Sequence, residues 1–287
     1  MVGLVLCVIA IIFALRSFNR SQYHGGVEYW RDELEMSPAS AAELLHMVDN
    51  KHSSTLTSRK MSASVLSLAS RGAIAIYPGV AAMYRGIDMS QANNADIARM
   101  IANDPARIRD VGKTSTVVIL PVVFNNVQSL QLRPSEQAAL DLLVTASERI
   151  GSPVFDLDQM NKNFSDWKNG YKLQEKFTNT CDNEFAMLGA TSICGGGAFA
   201  AGICAVMLAF LSMLYFGAIG NLALLAVISA PMMFASVFAL SYLKLKGLTD
   251  NGQYLAGQGL GLKHYMEDFS EFKDRGVTDM TLWGRYM

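Results

Sequence analysis

One long stretch of the chain lacks every charged residue: no Lys, Arg, Asp, Glu or His occurs between Phe185 and Leu243. A transmembrane helix needs about 20 apolar residues, so a charge-free run of this length crosses a bilayer twice if it turns once. The pair Gly220–Asn221 supplies a turn. We therefore predict a transmembrane helical hairpin over 185–243, with helices at roughly 190–216 and 222–243.

The sequence also lacks the motifs of catalysis and metal binding. Its four cysteines form no CxxC pair and no disulfide framework, and its four histidines have no metal-ligand spacing such as HExxH. No GxSxG nucleophile motif is present. We therefore predict a non-enzymatic protein with no catalytic residue, no metal site and no cofactor.

The predicted hairpin contains no ionisable residue, although pumps and proton-coupled transporters usually need one inside the membrane. This argues against transport by these two helices alone. Small residues line one face of the first helix, with Ala198 and Gly202 at small-xxx-small spacing and Gly195 close by. We interpret this face as a packing surface against the second helix, and a homo-oligomer contact is the alternative.

A third apolar run extends from Val2 to Leu15 and reaches only about 21 Å at ~1.5 Å per residue. Arg16 and Arg20 follow it and nothing basic precedes it, which is the reverse of a signal peptide. We interpret residues 1–16 as the last part of a transmembrane helix that begins before this chain. A short signal anchor is the alternative.

Basic residues predict the orientation in the membrane. Arg16 and Arg20 follow the first span, Lys244 and Lys246 follow the last, and the predicted turn has no charge. By the positive-inside rule, residues 16–184 and the tail from 244 lie in the cytoplasm. We expect a multi-pass protein of the plasma membrane, with the lipid bilayer as one partner.

The fold class that we predict is mainly α with some β. After a polar linker at 17–36, residues 37–125 follow the element order of a winged helix. Ser37 and Pro38 suit the start of a first helix, and the spacing predicts a second over Thr57 to Ser70, ended by Arg71-Gly72.

Two β-rich runs, 73–77 and 114–123, follow these helices and can pair as a hairpin. Pro121 suggests an edge position for the second run. An insertion at 80–113 separates the runs and contains a weak helix near 90–102. Either the wing is decorated by this insertion, or the second strand belongs to the next unit.

Residues 126–184 are predicted to form a second helical cytoplasmic unit. It contains a helix over 132–150 and another that Asp156 can cap. Lysines then alternate with aromatic residues before the membrane, at Lys162, Lys168, Lys172 and Lys176. This pattern indicates either a helix at anionic lipid heads or a solvated face packed on its own domain.

The segment 244–287 is predicted to be a cytoplasmic tail. Its first part, 247–261, is rich in glycine, and a helix is predicted after it, over 262–272. The chain stops at Met287 as if cut short.

Four motifs in this order resemble the YciQ-like predicted bacterial membrane proteins, a family of unknown function. Residues 37–42 (SPASAA) resemble that family's SPAEAA, and 68–74 (LASRGAI) its LARRGYI. Residues 265–270 (YMEDFS) resemble YLxDFS, and Leu282-Trp283 with Tyr286 resemble LWxxYL. The resemblance implies an extracytoplasmic β-rich domain before residue 1 and more sequence after 287. It implies no catalytic residues, and the 80–113 insertion departs from the family pattern.

Three functions are compatible with these features. The first is a membrane scaffold or signalling protein that contacts a protein partner through its cytoplasmic winged-helix-like unit. The second is a membrane-tethered DNA-binding regulator that uses Arg59, Lys60 and Arg71 on phosphates. The third is an accessory subunit of a transporter. The net charge of −1 and the serine-rich helix favour the first, so we expect no nucleic-acid binding.

Overall fold

The structure is a computed structural model, and it describes residues 2–26, 29–32, 34–48, 55–84, 87–89, 114–193, 196–220, 227, 232–234, 237 and 246–271. The described part is mainly helical with some antiparallel sheet, which confirms the predicted class. The chain divides into two compact units. The first unit comprises Met1–Trp30 and Gly189–Lys263, and the second comprises Arg31–Leu188 and His264–Met287.

One long apolar helix, α1 (Val2–Ser21), opens the first unit. It extends past the apolar run and includes Arg16, so it is six residues longer than that run. Exposed aliphatic and aromatic side chains cover much of its surface, among them Val8, Ile12 and Phe18. Such a surface suits a lipid or protein environment better than water.

Two helices open the second unit. Helix α2 (Pro38–Val48) begins after Ser37, whose Oγ accepts a hydrogen bond from the Ser40 amide at 3.2 Å. Helix α3 (Leu56–Ser70) is followed by Gly72, whose φ of +75° suits a residue without a side chain. Both helices therefore lie where the capping signals predicted them.

A three-stranded antiparallel sheet follows, with strands β1 (Ile74–Pro78), β2 (Ser115–Ile119) and β3 (Val154–Asp156) in the order β1-β2-β3. The two β-rich runs of the sequence thus pair with each other, as predicted. The third strand comes from the segment 126–184. The sheet therefore contains strands from both of the predicted cytoplasmic units, 37–125 and 126–184, so the predicted boundary at residue 125 does not separate two folds.

The predicted edge position of the second β-rich run was wrong. β2 lies between the other two strands and ends at Ile119. Pro121 instead occupies the first position of a short helix, α4 (Pro121–Asn126). A proline there loses no backbone hydrogen bond, because the first amides of a helix have no partner within it.

Three more helices of the second unit follow α4: α5 (Pro134–Ile150), α6 (Leu157–Ser165) and α7 (Gly170–Met187). Asp156 begins α6 as predicted, since its Oδ1 accepts the Gln159 amide at 2.8 Å. Its Oδ2 accepts the amide of Ala81 at 3.1 Å, so one buried carboxylate holds both the start of α6 and the chain that follows β1.

The sheet is covered on both faces. Ile74, Val117 and Phe155 contribute to a core with α3 and α5. On the other face, Tyr77 and Val118 pack with Met83, Tyr84 and Met89. The first residues of the 80–113 insertion are thus part of the core. The weak helix predicted near 90–102 lies outside the described residues.

Helix α7 packs along α5 and α2 and buries Phe177 and Phe185 in the second unit. Lys176 on this helix donates to Asp141 Oδ2 at 2.9 Å. This favours the second interpretation of the lysine pattern, a helix packed on its own domain. The charge-free stretch therefore begins inside the second unit, and the predicted membrane segment within it starts later than Phe185.

In the first unit, two short strands flank the predicted membrane segment, one before it and one after it, and they pair as a two-stranded ribbon. Strand β4 (Thr191–Ile193) pairs antiparallel with β5 (Lys246–Leu248). The predicted helix over 190–216 is instead helix α8 (Gly196–Ile219), because the residues before it belong to the ribbon. The predicted second helix, over 222–243, lies mostly outside the described residues.

Helix α8 contains Gly202–Ile219, the one stretch of the described chain that is long and apolar enough, by length and composition, to cross a membrane. It packs against α1 within the first unit. Large exposed apolar side chains surround the rest of its surface, including Met207, Phe210 and Tyr215.

The predicted start of the tail helix at residue 262 was wrong. Helix α9 (Asp250–Glu271) begins twelve residues earlier and includes most of the glycine-rich part. Glycine disfavours helix by about 1 kcal/mol relative to alanine. Close contacts of Gly252 with the Ala190 backbone and of Gly257 with the Tyr23 hydroxyl offset part of that cost.

Candidate functional site

The three cations predicted to form an interaction surface lie on or directly after α3, but two of them, Lys60 and Arg71, form ion pairs with carboxylates of the second unit. Lys60 is buried, Arg71 is partly buried, and Arg59 lies partly exposed at the first turn. The three do not form one exposed basic surface.

Lys60 joins three helices. Its Nζ lies 2.5 Å from Glu43 Oε2 on α2 and donates to Asp182 Oδ1 on α7 at 2.7 Å. The Lys60 side chain is 3% exposed, whereas that of Asp182 is 56% exposed. Burial lowers the pKa of the Lys60 ammonium, but the hydrogen bonds and charges of Asp182 and Glu43 outweigh it, so the net pKa is raised. Lys60 is therefore a fixed cation and not a general base.

A second ion pair ties the end of α3 to the start of α5. Glu136 is fully buried, and its Oε1 accepts from Arg71 Nε at 3.1 Å and from Ser67 Oγ at 2.5 Å. Its Oε2 accepts the amide of Arg133 at 2.7 Å, which caps α5. All of these donors are needed because an unpaired buried carboxylate costs several kcal/mol.

Further polar groups lie on the same helices. Ser64 and Ser135 are fully buried, and their hydroxyl oxygens have no hydrogen-bond partner among the described residues. The amide of Ser135 donates to Glu184 Oε2 at 3.1 Å, so a carboxylate of α7 meets the start of α5. We call the set Glu43, Lys60, Ser64, Ser67, Arg71, Ser135, Glu136, Asp182 and Glu184 the polar seam.

Cys181 lies beside the polar seam and is 1% exposed. Burial raises the pKa of its thiol to about 12, against a lowering by the Lys60 ammonium. The thiol is therefore neutral at physiological pH and unsuited to nucleophilic chemistry. The described residues also contain no group of three His, Cys, Asp or Glu side chains that could hold a metal ion.

Of the three residues predicted to form a small packing face on the first membrane helix, the structure describes the burial of Gly202. Gly202 is buried, as are Ala205 and Ala209 one and two turns later. Ala209 also packs with Met232 from the predicted second span. Among the other two predicted packing residues, Ala198 lies in the first turn of α8, and Gly195 lies outside the described residues.

The acidic members of the polar seam were missed in the sequence. One signal for Glu136 was present, since it stands three residues after Arg133 at the start of a helix, which is the spacing of a capping box. Glu43 and Asp182 carry no local signal, because their partner Lys60 is distant in the chain.

Residues 26–287 match a family model described as the C-terminal domain of a predicted membrane protein (DUF2207). No curated protein and no solved structure matches the chain.

Proposed function

The chain belongs to the DUF2207 family of predicted membrane proteins, and from that premise we propose a non-enzymatic membrane scaffold or signalling protein whose second unit binds a protein partner. The winged-helix description of residues 37–125 is part of this proposal. Helices α2 and α3 followed by the paired strands β1 and β2 support it.

The ribbon supports the multi-pass part of the proposal. Ile193 pairs with Lys246, so the two ends of the segment 194–245 are held next to each other. A segment with adjacent ends crosses a membrane an even number of times. Lys244 and Lys246 lie at one of these ends, and Arg16 follows the first apolar run, so the positive-inside rule favours the cytoplasm for both positions.

We propose a protein partner and not DNA because two cations on or next to α3 already form ion pairs within the fold. Phosphate contacts supply most of the non-specific affinity of a DNA-binding protein, and they require accessible Lys and Arg. Lys60 is buried between two carboxylates, and Arg71 is paired with buried Glu136. α3 therefore has too few cations for a duplex.

Exposed apolar side chains of the second unit fit a protein partner better. Leu66 on α3 is 47% exposed and Phe124 on α4 is 59% exposed. Aromatic and aliphatic side chains of this kind form the anchors of protein interfaces.

Site-specific photo-cross-linking in intact cells tests the proposal. A benzophenone amino acid at Leu66 or Phe124 of the full chain should give adducts with a discrete protein. The same amino acid at exposed Gln174 is the matched control and should not.

The regulator alternative makes a different prediction for the same purified chain. Fluorescence anisotropy in nanodiscs would then show duplex binding at or below about micromolar Kd that weakens steeply with salt. Arg59→Ala would have to abolish it. Lys60 is not used for this test, because its removal perturbs the fold. Such binding, without adducts at Leu66 or Phe124, contradicts the scaffold proposal.

A further inference from the structure

The described part of the first unit is basic outside its apolar runs. Its positively charged residues are Arg16, Arg20, Lys246 and Lys263, and its one described acidic residue is Asp250. Four cations against one carboxylate give the described residues of this unit a net charge of +3 with histidine neutral. Helix α8 contains no charged residue, and α1 contains none before Arg16. The charge of the unit is therefore positive, and it begins where the apolar surface ends.

Contacts within the first unit bring two of these cations to the same end of α1. Strand β5 packs against α1. Five residues after β5, the Gln253 side chain donates through Nε2 to the carbonyl of Gln22 at 3.0 Å, and its Oε1 accepts the amide of His24 at 3.1 Å. Gln22 directly follows α1, so these contacts place β5 at the C-terminal end of that helix. Lys246 opens β5 and Arg16 lies in the last two turns of α1, so both cations lie at this end.

Both cations are accessible, and each stands beside an exposed apolar side chain. Arg16 and Lys246 are exposed, and neither forms an ion pair with a described residue. Arg16 directly follows Leu15, which is 54% exposed. Lys246 pairs across the ribbon with Ile193, which is 74% exposed, and paired residues of neighbouring strands have their side chains on the same face. The two cations therefore lie where apolar surface meets polar surface.

Such a boundary matches the headgroup level of a bilayer. A long basic side chain can keep its stem on apolar surface there while its charge stays in water. Anionic phospholipids are negatively charged at this level, whereas phosphatidylcholine is neutral overall. Each Lys or Arg close to an anionic membrane surface adds about a fivefold preference for it. The positive charge of the first unit thus complements an anionic lipid, and the apolar side chains beside both cations suit its acyl chains.

We propose that Arg16 and Lys246, which we call the basic pair, form a site for the headgroup of an anionic phospholipid of the surrounding bilayer. The Arg16 guanidinium and the Lys246 ammonium donate hydrogen bonds to the lipid phosphate. Leu15 and Ile193 contact the start of the acyl chains. Asp250, two residues after β5, weakens the attraction by its negative charge. This site lies within the first unit and goes beyond the function proposed above, because it does not involve the protein partner of the second unit.

Native mass spectrometry of the full chain in detergent tests the basic pair. Titration with phosphatidylglycerol or with phosphatidylcholine gives a Kd for the first bound molecule of each lipid. We expect phosphatidylglycerol to bind about 25-fold more tightly, because two cations contribute about fivefold each. Arg16→Gln or Lys246→Gln should each weaken phosphatidylglycerol binding about fivefold and leave phosphatidylcholine binding unchanged.

Two further variants show whether the effect belongs to this site. Lys172→Gln is the matched control, because it removes an exposed cation of the second unit and should change neither Kd. Asp250→Asn removes the one acidic residue described in the first unit, so it should strengthen phosphatidylglycerol binding. An unchanged thermal transition shows that each variant is folded.

Equal Kd values for the two lipids overturn the proposal. A loss of affinity in Lys172→Gln as large as that in Arg16→Gln overturns it as well, since the effect would then follow net charge alone. Displacement of the bound lipid by millimolar inorganic phosphate would assign the cations to a free anion and contradict the lipid site. None of these results depends on the partner protein, so the cross-linking at Leu66 and Phe124 can succeed while lipid binding fails.

Discussion

Removal of the Lys60 ammonium tests the energetics of the polar seam most directly. Lys60→Met keeps most of the side-chain volume and removes the charge. Glu43 then stays largely buried without its cation, because its side chain is only 11% exposed. Breaking a buried pair in this way costs about 3–5 kcal/mol, and we expect the lower end since half-exposed Asp182 regains water. For a domain of this size, a loss of about 3 kcal/mol lowers Tm by roughly 6–12 °C.

Two companion variants separate the contributions. Asp182→Asn should cost no more than about 1 kcal/mol, because an exposed ion-pair partner contributes little. Lys60→Met combined with Glu43→Gln should be more stable than Lys60→Met alone, since the unpaired charge is gone. Urea unfolding of the detergent-solubilised chain measures all of them, followed through Trp167 with Trp30 and Trp283 replaced by Phe.

The pH dependence provides an independent check. The pKa of Lys60 is raised in the folded protein, so its stabilisation is complete below the unfolded value of about 10.4. It is lost as pH rises through the higher folded value. The stability difference between wild type and Lys60→Met should therefore be constant from pH 7 to about 10 and shrink above that. A difference under about 1 kcal/mol at pH 7, or one that does not shrink in alkali, would refute the reasoning.

Three other predictions concern single side chains. Ser64→Ala should raise the free energy of unfolding by about 1 kcal/mol, because it removes a buried hydroxyl that has no partner among the described residues. Ser67→Ala should lower the free energy of unfolding by about 1–3 kcal/mol, because it removes a donor to a buried carboxylate. The same urea titration measures both. Cys181 should resist maleimide at pH 8 until the protein unfolds, because its thiol is buried and its pKa is about 12; labelling at the rate of a free thiol contradicts this. In a cysteine-free background, Ala218→Cys should react with an impermeant thiol reagent on intact cells and Asn183→Cys only after permeabilisation, and the reverse pattern overturns the orientation.

These labelling positions follow from the structure. Native Cys181 is a poor reporter of topology, since burial protects it on either side of the membrane. Gly220 is a poor site for a new cysteine, because its φ of +71° strains any residue with a side chain.

Helix starts and the first strand pair could be predicted because their signals are local. Ser37, Pro38 and Asp156 stand directly at the helix starts that they predicted. The pairing of β1 with β2 followed from two β-rich runs that were both visible in the sequence. Such signals need no knowledge of the rest of the fold.

The remaining features depend on partners that are distant in the chain. Strands β3, β4 and β5 have three residues each, and only their hydrogen-bonded partners make them strands. The burial of Lys60 depends on Asp182, more than a hundred residues away. The helical state of the glycine-rich segment depends on close contacts at Gly252 and Gly257, which outweigh the local propensity.

The pairing of β4 with β5 has a consequence for the order of synthesis. Strand β4 leaves the ribosome first, and its partner is made only after the whole segment between them has been translated. Thr249, which binds Ala190 and precedes α9, comes later still. The ribbon and the start of α9 can therefore form only once the predicted membrane segment has been synthesised. The hydrogen bonds of Gln253 to the backbone of Gln22 and His24 form after that. The contacts of β5 and α9 with earlier residues are thus the last to form in the first unit. The first unit can finish folding only after the predicted membrane segment has been translated.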